Sequence, residues 1–146
     1  MHLLIMKNKW YIIASCAVLL LAAGCKNSTS DPFADPGDIE NPHWVLTVDN
    51  DMTNSMTAIV HVSFAQQEGT LAAFTGNDCC GVAEYIDGLY FLYVSPANEE
   101  GGEVQLRFYS PRLKRIFVAT ETIPFHSHDI IGSVSHPHTP DWKVAQ

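Results

Sequence analysis

The feature that most constrains this chain is an alternation of period two that recurs through its second half. Met56, Ala58, Val60, Val62 and Phe64 alternate with Thr57, Ile59, His61 and Ser63, and Val104, Leu106 and Phe108 alternate with Glu103, Gln105 and Arg107. Successive side chains of a strand point to opposite faces, so this pattern describes strands with one face in a core and one toward water. The run Leu89–Val94, "LYFLYV", is apolar on both sides and reads as a central strand. Asp87-Gly88 before it is a two-residue hairpin signal, because both positions of such a turn need positive φ. "GND" at 76–78 and "NEEGG" at 98–102 read as loops. Strands are expected near 44–49, 56–65, 70–76, 79–86, 89–95, 103–109, 115–120 and 122–125. No long stretch beyond residue 43 has a helical period. The expected fold class is all-β, a single antiparallel β-sandwich of about 7–8 strands.

The first part of the chain has a different logic. Lys7 and Lys9 precede an uncharged run from Trp10 to Ala23, and no acidic residue appears before Asp31. A basic start, an apolar stretch and the small residues Ala22, Ala23 and Gly24 before Cys25 follow the plan of an export signal. The apolar run is short for a spanning helix, which needs about 20 residues. "LAAGC" resembles the lipobox of bacterial lipoproteins, with Ala22 where leucine is commoner. The resemblance implies cleavage after residue 24 and acylation of the Cys25 thiol, a stable anchor because each buried methylene contributes about 0.8 kcal/mol. The alternative is an ordinary secretory signal with a chance cysteine. Lys26 after the cysteine resembles outer-membrane sorting, so the expected location is the bacterial envelope, on either face of the outer membrane. The expected organisation is a signal peptide over 1–24, a lipidated cysteine and flexible acidic tether over 25–43, and a sandwich over 44–146. The tether reading rests on "KNSTSDPFADPGDIENP", which holds few apolar residues.

Charge narrows the partners. Six of the eight basic residues and all sixteen acidic ones lie beyond residue 24. That excess of carboxylates argues against nucleic acid as a partner. The membrane is met through the lipid anchor, and a glycan or protein is the expected ligand.

Cys79 and Cys80 are adjacent, with Cα atoms about 3.8 Å apart across a trans peptide, below the usual disulfide range of about 4.4–6.8 Å. In a strand one of them faces the core as a small apolar residue and the other faces outward.

The segments "NSMTAIVHV", "GTLAAFTGNDCCGVAEY", "LYFLYV", "GGEVQLRFYSP" and "TETIPF…DIIGS" together resemble a small β-sandwich module of secreted and cell-surface lipoproteins of Bacteroidetes. The resemblance covers about residues 44–142 and rests on strand apolars, turn glycines and one cysteine. It implies the fold and an envelope location, and it carries over no ligand residues. Cys79 matches the module's cysteine and Cys80 stands where arginine is usual, so the resemblance implies that Cys79 packs and Cys80 is incidental.

The candidate sites are few. "FHSHDIIGSVSHPH", residues 125–138, holds four histidines. In extended chain His126 and His128 share a face, as do His136 and His138, and neutral imidazoles suit zinc or copper. Pro137 and Pro140 point instead to a loose, solvated loop. "DNDMTN" at 49–54 crowds oxygen ligands but lacks the glycine and distal glutamate of an EF-hand. "GSVSH" at 132–136 has the wrong spacing for a nucleophile elbow, and Glu99, Glu100 and Glu103 lie on a loop. No catalytic residues and no cofactor are expected. Trp44, Tyr85, Tyr90, Tyr93, Tyr109 and Trp142 could stack on sugars, although most such rings fill a core. The expected function is a lipid-anchored, non-catalytic module binding glycan or protein at the cell surface. Alternatives are a structural or assembly subunit of a surface complex, and a metal-binding envelope lipoprotein using His126, His128, His136 and His138.

Overall fold

A computed structural model describes residues 37–49, 52–65, 68–95, 100 and 102–146. The expected signal peptide over 1–24, Cys25 and the expected tether up to residue 36 lie outside the described residues.

The fold is an all-β sandwich. Its strands are β1 (Met56–Val60), β2 (Thr70–Thr75), β3 (Asp78–Val82), β4 (Glu84–Ile86), β5 (Leu89–Val94), β6 (Glu103–Ser110), β7 (Arg115–Ala119), β8 (Ile123–Pro124), β9 (Ile130–Ile131) and β10 (Trp142–Val144). One sheet has the order β4-β5-β1-β9 and the other β10-β7-β6-β2-β3, with β8 paired to the start of β6. Among the described residues the only helical turn is a 3-10 turn at Met52–Asn54.

The alternation read from sequence is the alternation of the sheets. Met56, Ala58 and Val60 of β1 and Tyr90, Leu92 and Val94 of β5 face Leu71, Ala73, Val104, Leu106 and Phe108 of the opposite sheet. Phe108 lies at the centre of an aromatic group, edge-on to Phe64 at 5.8 Å and to Tyr90 at 5.6 Å. The Tyr90 hydroxyl accepts a hydrogen bond from the Gly69 N–H at 2.9 Å, so its polar end is satisfied inside the core. Asp87 and Gly88 form the tight turn between β4 and β5, with φ of 50° and 86°.

Several expectations are corrected. The stretch 79–86 is two strands in different sheets. β3 pairs with β2, and β4 pairs with β5. The chain changes sheets at Ala83, whose N–H is still bonded to Leu71. At this corner the sheets come so close that Ser95 N–H donates to the Cys80 carbonyl at 2.8 Å. A Cβ on Gly81 would stand 2.3 Å from the Tyr93 carbonyl oxygen, so no side chain fits there.

Residues 44–49 do not form a strand. Thr47 N–H donates to the Cys79 carbonyl, and the return bond runs from Cys79 N–H to the Thr47 hydroxyl, both at 2.9 Å. A side chain thus replaces the second rung, and the pairing does not propagate.

Residues 37–41, read as part of the tether, lie against the β6–β7 end of the domain. Ile39 N–H donates to Lys114, the Tyr109 hydroxyl donates to the Ile39 carbonyl at 3.0 Å, and Asp38 pairs with Lys114 at 2.9 Å. The compact unit runs Pro36–Gln146.

The two cysteines do face opposite ways, yet both are buried and free. Cys80 is the fully buried one, within the main core, and so is not incidental. Cys79 packs in a second, smaller cluster with Ala72 and Phe74 on the outer face of the sheet, under Trp44. The crossing segment around Trp44 turns an expected solvent face into a covered one.

Candidate functional site

The histidine segment is not a loose loop. It runs along β1 as an interrupted edge. His128 N–H donates to Ser55, Thr57 N–H to Asp129, His138 N–H to Ile59 and His61 N–H to His138, over 2.8–3.0 Å. Between these bonds Ile130 and Ile131 pair in parallel with Thr57 and Ala58. Pro137 is compatible because it lacks only its own N–H, and the donating positions are its neighbours His136 and His138. Residues 133–136 turn outward, closed by Ser133 N–H to the His136 carbonyl and His136 N–H to the Ser133 hydroxyl, both at 3.0 Å.

This order separates the imidazoles. His126 Nδ1 lies 2.8 Å from Glu100, whose other carboxylate oxygen accepts from Ser127 N–H at 3.0 Å. These bonds hold the Glu100 carboxyl below the ordinary carboxylate range, the Ser127 N–H first and His126 second. His128 Nδ1 meets the Ser127 hydroxyl, and His136 Nδ1 meets Ser135 on the outward turn. His138 is half-buried, and burial pushes its pKa below the ordinary value. Among the described residues no three His, Cys, Asp or Glu side chains are grouped to hold a metal ion. The four histidines are folded but do not converge.

The aromatic residues also separate. Tyr90 is core, and Tyr109 is covered by the crossing residues 37–41. The Trp142 ring packs against Phe108 at 6.2 Å. Tyr85 and Tyr93 are exposed, but they project on opposite sides of the four-stranded sheet. Tyr85 pairs with inward-facing Tyr90, whereas Tyr93 alternates with it. No flat platform of exposed rings results.

Concavity is found on the outer face of the six-stranded sheet, in a groove of about 550 Å³. Its floor is Ile116 and Val118 of β7, and its walls include Trp44, Gln105, Arg107 and Lys143. Strand register explains the arrangement. Arg107 pairs with Val118, and Val118 pairs with Lys143, so the two cations flank one valine in a single cross-sheet row. Trp44 closes one side, seated edge-on to Phe74 at 5.4 Å. The Arg107 guanidinium lies over the same Phe74 ring at 4.1 Å and donates to the Gly76 carbonyl at 3.0 Å. It is therefore held in place with further N–H groups unused. Lys143 and the side-chain amide of Gln105 make no hydrogen bond or ion pair among the described residues. The lining contains no Asp or Glu.

Sequence reasoning named Trp44 among its aromatics and missed the rest of this site. Gln105 and Arg107 were legible only as the outward-facing members of an alternating strand.

The four-stranded sheet presents a different surface. Thr57, Ile59, Phe91, Tyr93 and Ile130 share its outer face, with Tyr93 54% and Ile130 66% exposed. Its edges are short, three residues in β4 and two in β9, which limits strand addition.

No protein-family model, no curated protein and no solved structure matches the chain.

Proposed function

We propose that this protein is a lipid-anchored, non-catalytic binding module of the bacterial envelope, and that its ligand is a glycan held in the groove of the six-stranded sheet. The observation that carries this reading is the groove itself. It is concave, it has an apolar floor and an indole wall, Arg107 is held in place with N–H groups to spare, and Lys143 and Gln105 are unspent. Small-ligand sites combine apolar lining with a few convergent polar groups in this way. The envelope location rests on "LAAGC" after an uncharged apolar run and on the resemblance to Bacteroidetes surface modules. A second reading, an assembly subunit, is favoured by the apolar outer face of the four-stranded sheet, where a protein partner could cover Phe91, Tyr93 and Ile130.

The two readings are separated by amide chemical-shift mapping of the full chain in detergent micelles against a panel of soluble oligosaccharides. The glycan reading expects shifts at Gln105, Arg107, Val118 and Lys143. Shifts confined to Ile59, Phe91 and Tyr93, or none with any saccharide, would overturn it. For the anchor, Cys25→Ser is expected to abolish incorporation of labelled palmitate; retained label would sink that part of the reading.

A further inference from the structure

We infer that the ligand of this groove is an acidic saccharide, a chain of sugar rings bearing carboxylates, bound with a carboxylate between Arg107 and Lys143. The inference rests on the groove being the binding surface and adds the chemical class of what it takes.

Charge is the first argument. The chain carries sixteen acidic residues against eight basic ones, so a surface patch drawn at random is acidic. The groove reverses that sign, with Arg107 and Lys143 in its lining and no Asp or Glu beside them. Register sharpens the point. Arg107, Val118 and Lys143 occupy one row across β6, β7 and β10. Neighbouring strands lie about 4.8 Å apart, so the two cations stem from backbones about 10 Å apart and face the same way. The Arg107 guanidinium leans toward β2, over Phe74, so one carboxylate is shared by its remaining N–H groups and by a Lys143 side chain extended across Val118. Arg107 is already fixed by Phe74 and Gly76, which lowers the ordering cost of binding. A guanidinium so held offers paired N–H groups matched to a carboxylate.

The other lining groups distinguish a sugar from an acidic peptide. An extended peptide is recognised chiefly through its main chain, which needs a free strand edge. The groove lies on the face of the sheet, where the backbone groups of β6 and β7 are spent in the ladders β6–β7 and β7–β10, and the open edge beside it, that of β10, is only three residues long. What remains is Gln105, whose amide both donates and accepts, as adjacent hydroxyls do. Ile116 and Val118 offer an apolar floor to the C–H face of a ring, and Trp44 offers a wall. The size, about 550 Å³, lies in the usual range for small ligands and suits a short oligosaccharide.

The test uses trigalacturonate and its neutral methyl ester, titrated by calorimetry into the full chain in detergent micelles, with amide shifts recorded in parallel. Expected is binding of the acid that weakens as salt rises, at least tenfold weaker binding of the ester, and a loss of about tenfold or more in Lys143→Gln, the scale of one charge-assisted hydrogen bond. Lys143 is exposed, so that variant should unfold at the wild-type urea midpoint, which separates lost binding from lost folding. Arg107→Lys should retain part of the affinity, because charge remains while the fork is lost. Equal binding of ester and acid, with shifts in the groove and no effect of Lys143→Gln, would overturn the ligand class and leave the groove reading standing. Binding of a glutamate-rich peptide with the same Lys143 dependence, and not of trigalacturonate, would also overturn it. No binding of either saccharide would overturn the ligand class and leave the groove reading to the oligosaccharide panel, whereas shifts outside the groove would remove both readings.

Discussion

Gly132→Ala tests whether the histidine segment is docked as a strand. Gly132 follows β9 with φ of 76°, in the left-handed region where a side chain clashes with its own backbone at about 1–2 kcal/mol. A second cost comes from neighbours. A Cβ at this position would stand 2.6 Å from both the His138 nitrogen and the Ile59 oxygen, the two atoms of a 2.8 Å hydrogen bond. The methyl group must therefore push the returning chain off β1. Breaking that bond without replacement costs about 1–3 kcal/mol, and the total comes to about 2–5 kcal/mol. Gly88 provides the control. Its φ is 86°, and a Cβ there meets nothing within 4 Å. Gly88→Ala should thus show only the backbone cost of about 1–2 kcal/mol. The assay is urea unfolding of both variants, with amide exchange of His138 as a local reading. Gly132→Ala should be the more destabilised by about 1–3 kcal/mol, with fast exchange at His138. Equal losses in the two variants, with His138 still protected, would refute the close approach.

Other perturbations probe other parts of the fold. His138 has its pKa depressed by burial, outweighing the opposing charge of Glu121. The folded state therefore binds this proton less readily than the unfolded state. The stability so contributed is full above the ordinary histidine value near 6.5 and is lost as pH falls through the lower folded value. His138→Gln should flatten the decline of the urea midpoint between pH 7 and pH 5; an unchanged decline would refute the assignment. Burial pushes the Cys80 thiol up to about 11, with neighbouring Cys79 adding to it, and Cys79 is also raised by burial. Both should resist a thiol reagent at pH 8 until the protein is unfolded, and labelling of the native protein at the rate of a free thiol would contradict their burial. Tyr109→Phe removes the bond to Ile39 and should lower stability by about 1 kcal/mol in urea. Asp38→Asn should leave the midpoint unchanged, because an exposed pair with Lys114 contributes little. The reverse order would mean that the ion pair holds this segment.

The legible parts of the structure were those written in local pattern. The alternation of β1 and β6 and the Asp87-Gly88 turn lie within a few consecutive residues, and each appears, although β1 ends at Val60 and not at the expected residue 65. The change of sheet at Ala83 was invisible, because a strand that crosses between sheets can keep an unbroken run of strand-forming residues. Residues 37–41 misled for another reason. They are held mainly through backbone and polar atoms of Asp38 and Ile39, and composition cannot report partners such as Tyr109 and Lys114, seventy residues or more away. Pro137 misleads as a breaker, because here it sits between His136 and His138, the residues that donate. β9, at two residues, carries no periodicity at all.

The groove was illegible for a stronger reason, and that reason bears on how such a module gains a ligand site. Its residues come from β6, β7, β10 and the crossing segment at Trp44, so no window of sequence contains it. On β6 the inward positions Leu106 and Phe108 are core, and their replacement would unmake the fold. The outward positions Gln105 and Arg107 stand on the same strand with their side chains toward the groove, where residue type can change without disturbing the ladder. The crossing segment then converts a flat sheet face into a concavity by covering Phe74 and Cys79 on one side and leaving Val118 open. A sandwich of this kind separates two demands along each strand: the inner alternate positions specify the fold, and the outer ones are available to specify the ligand. Arg107 ties the two together. Its stack on Phe74 belongs to the covered cluster, while its remaining N–H groups face the groove, so the packing that buries Cys79 also orients the cation.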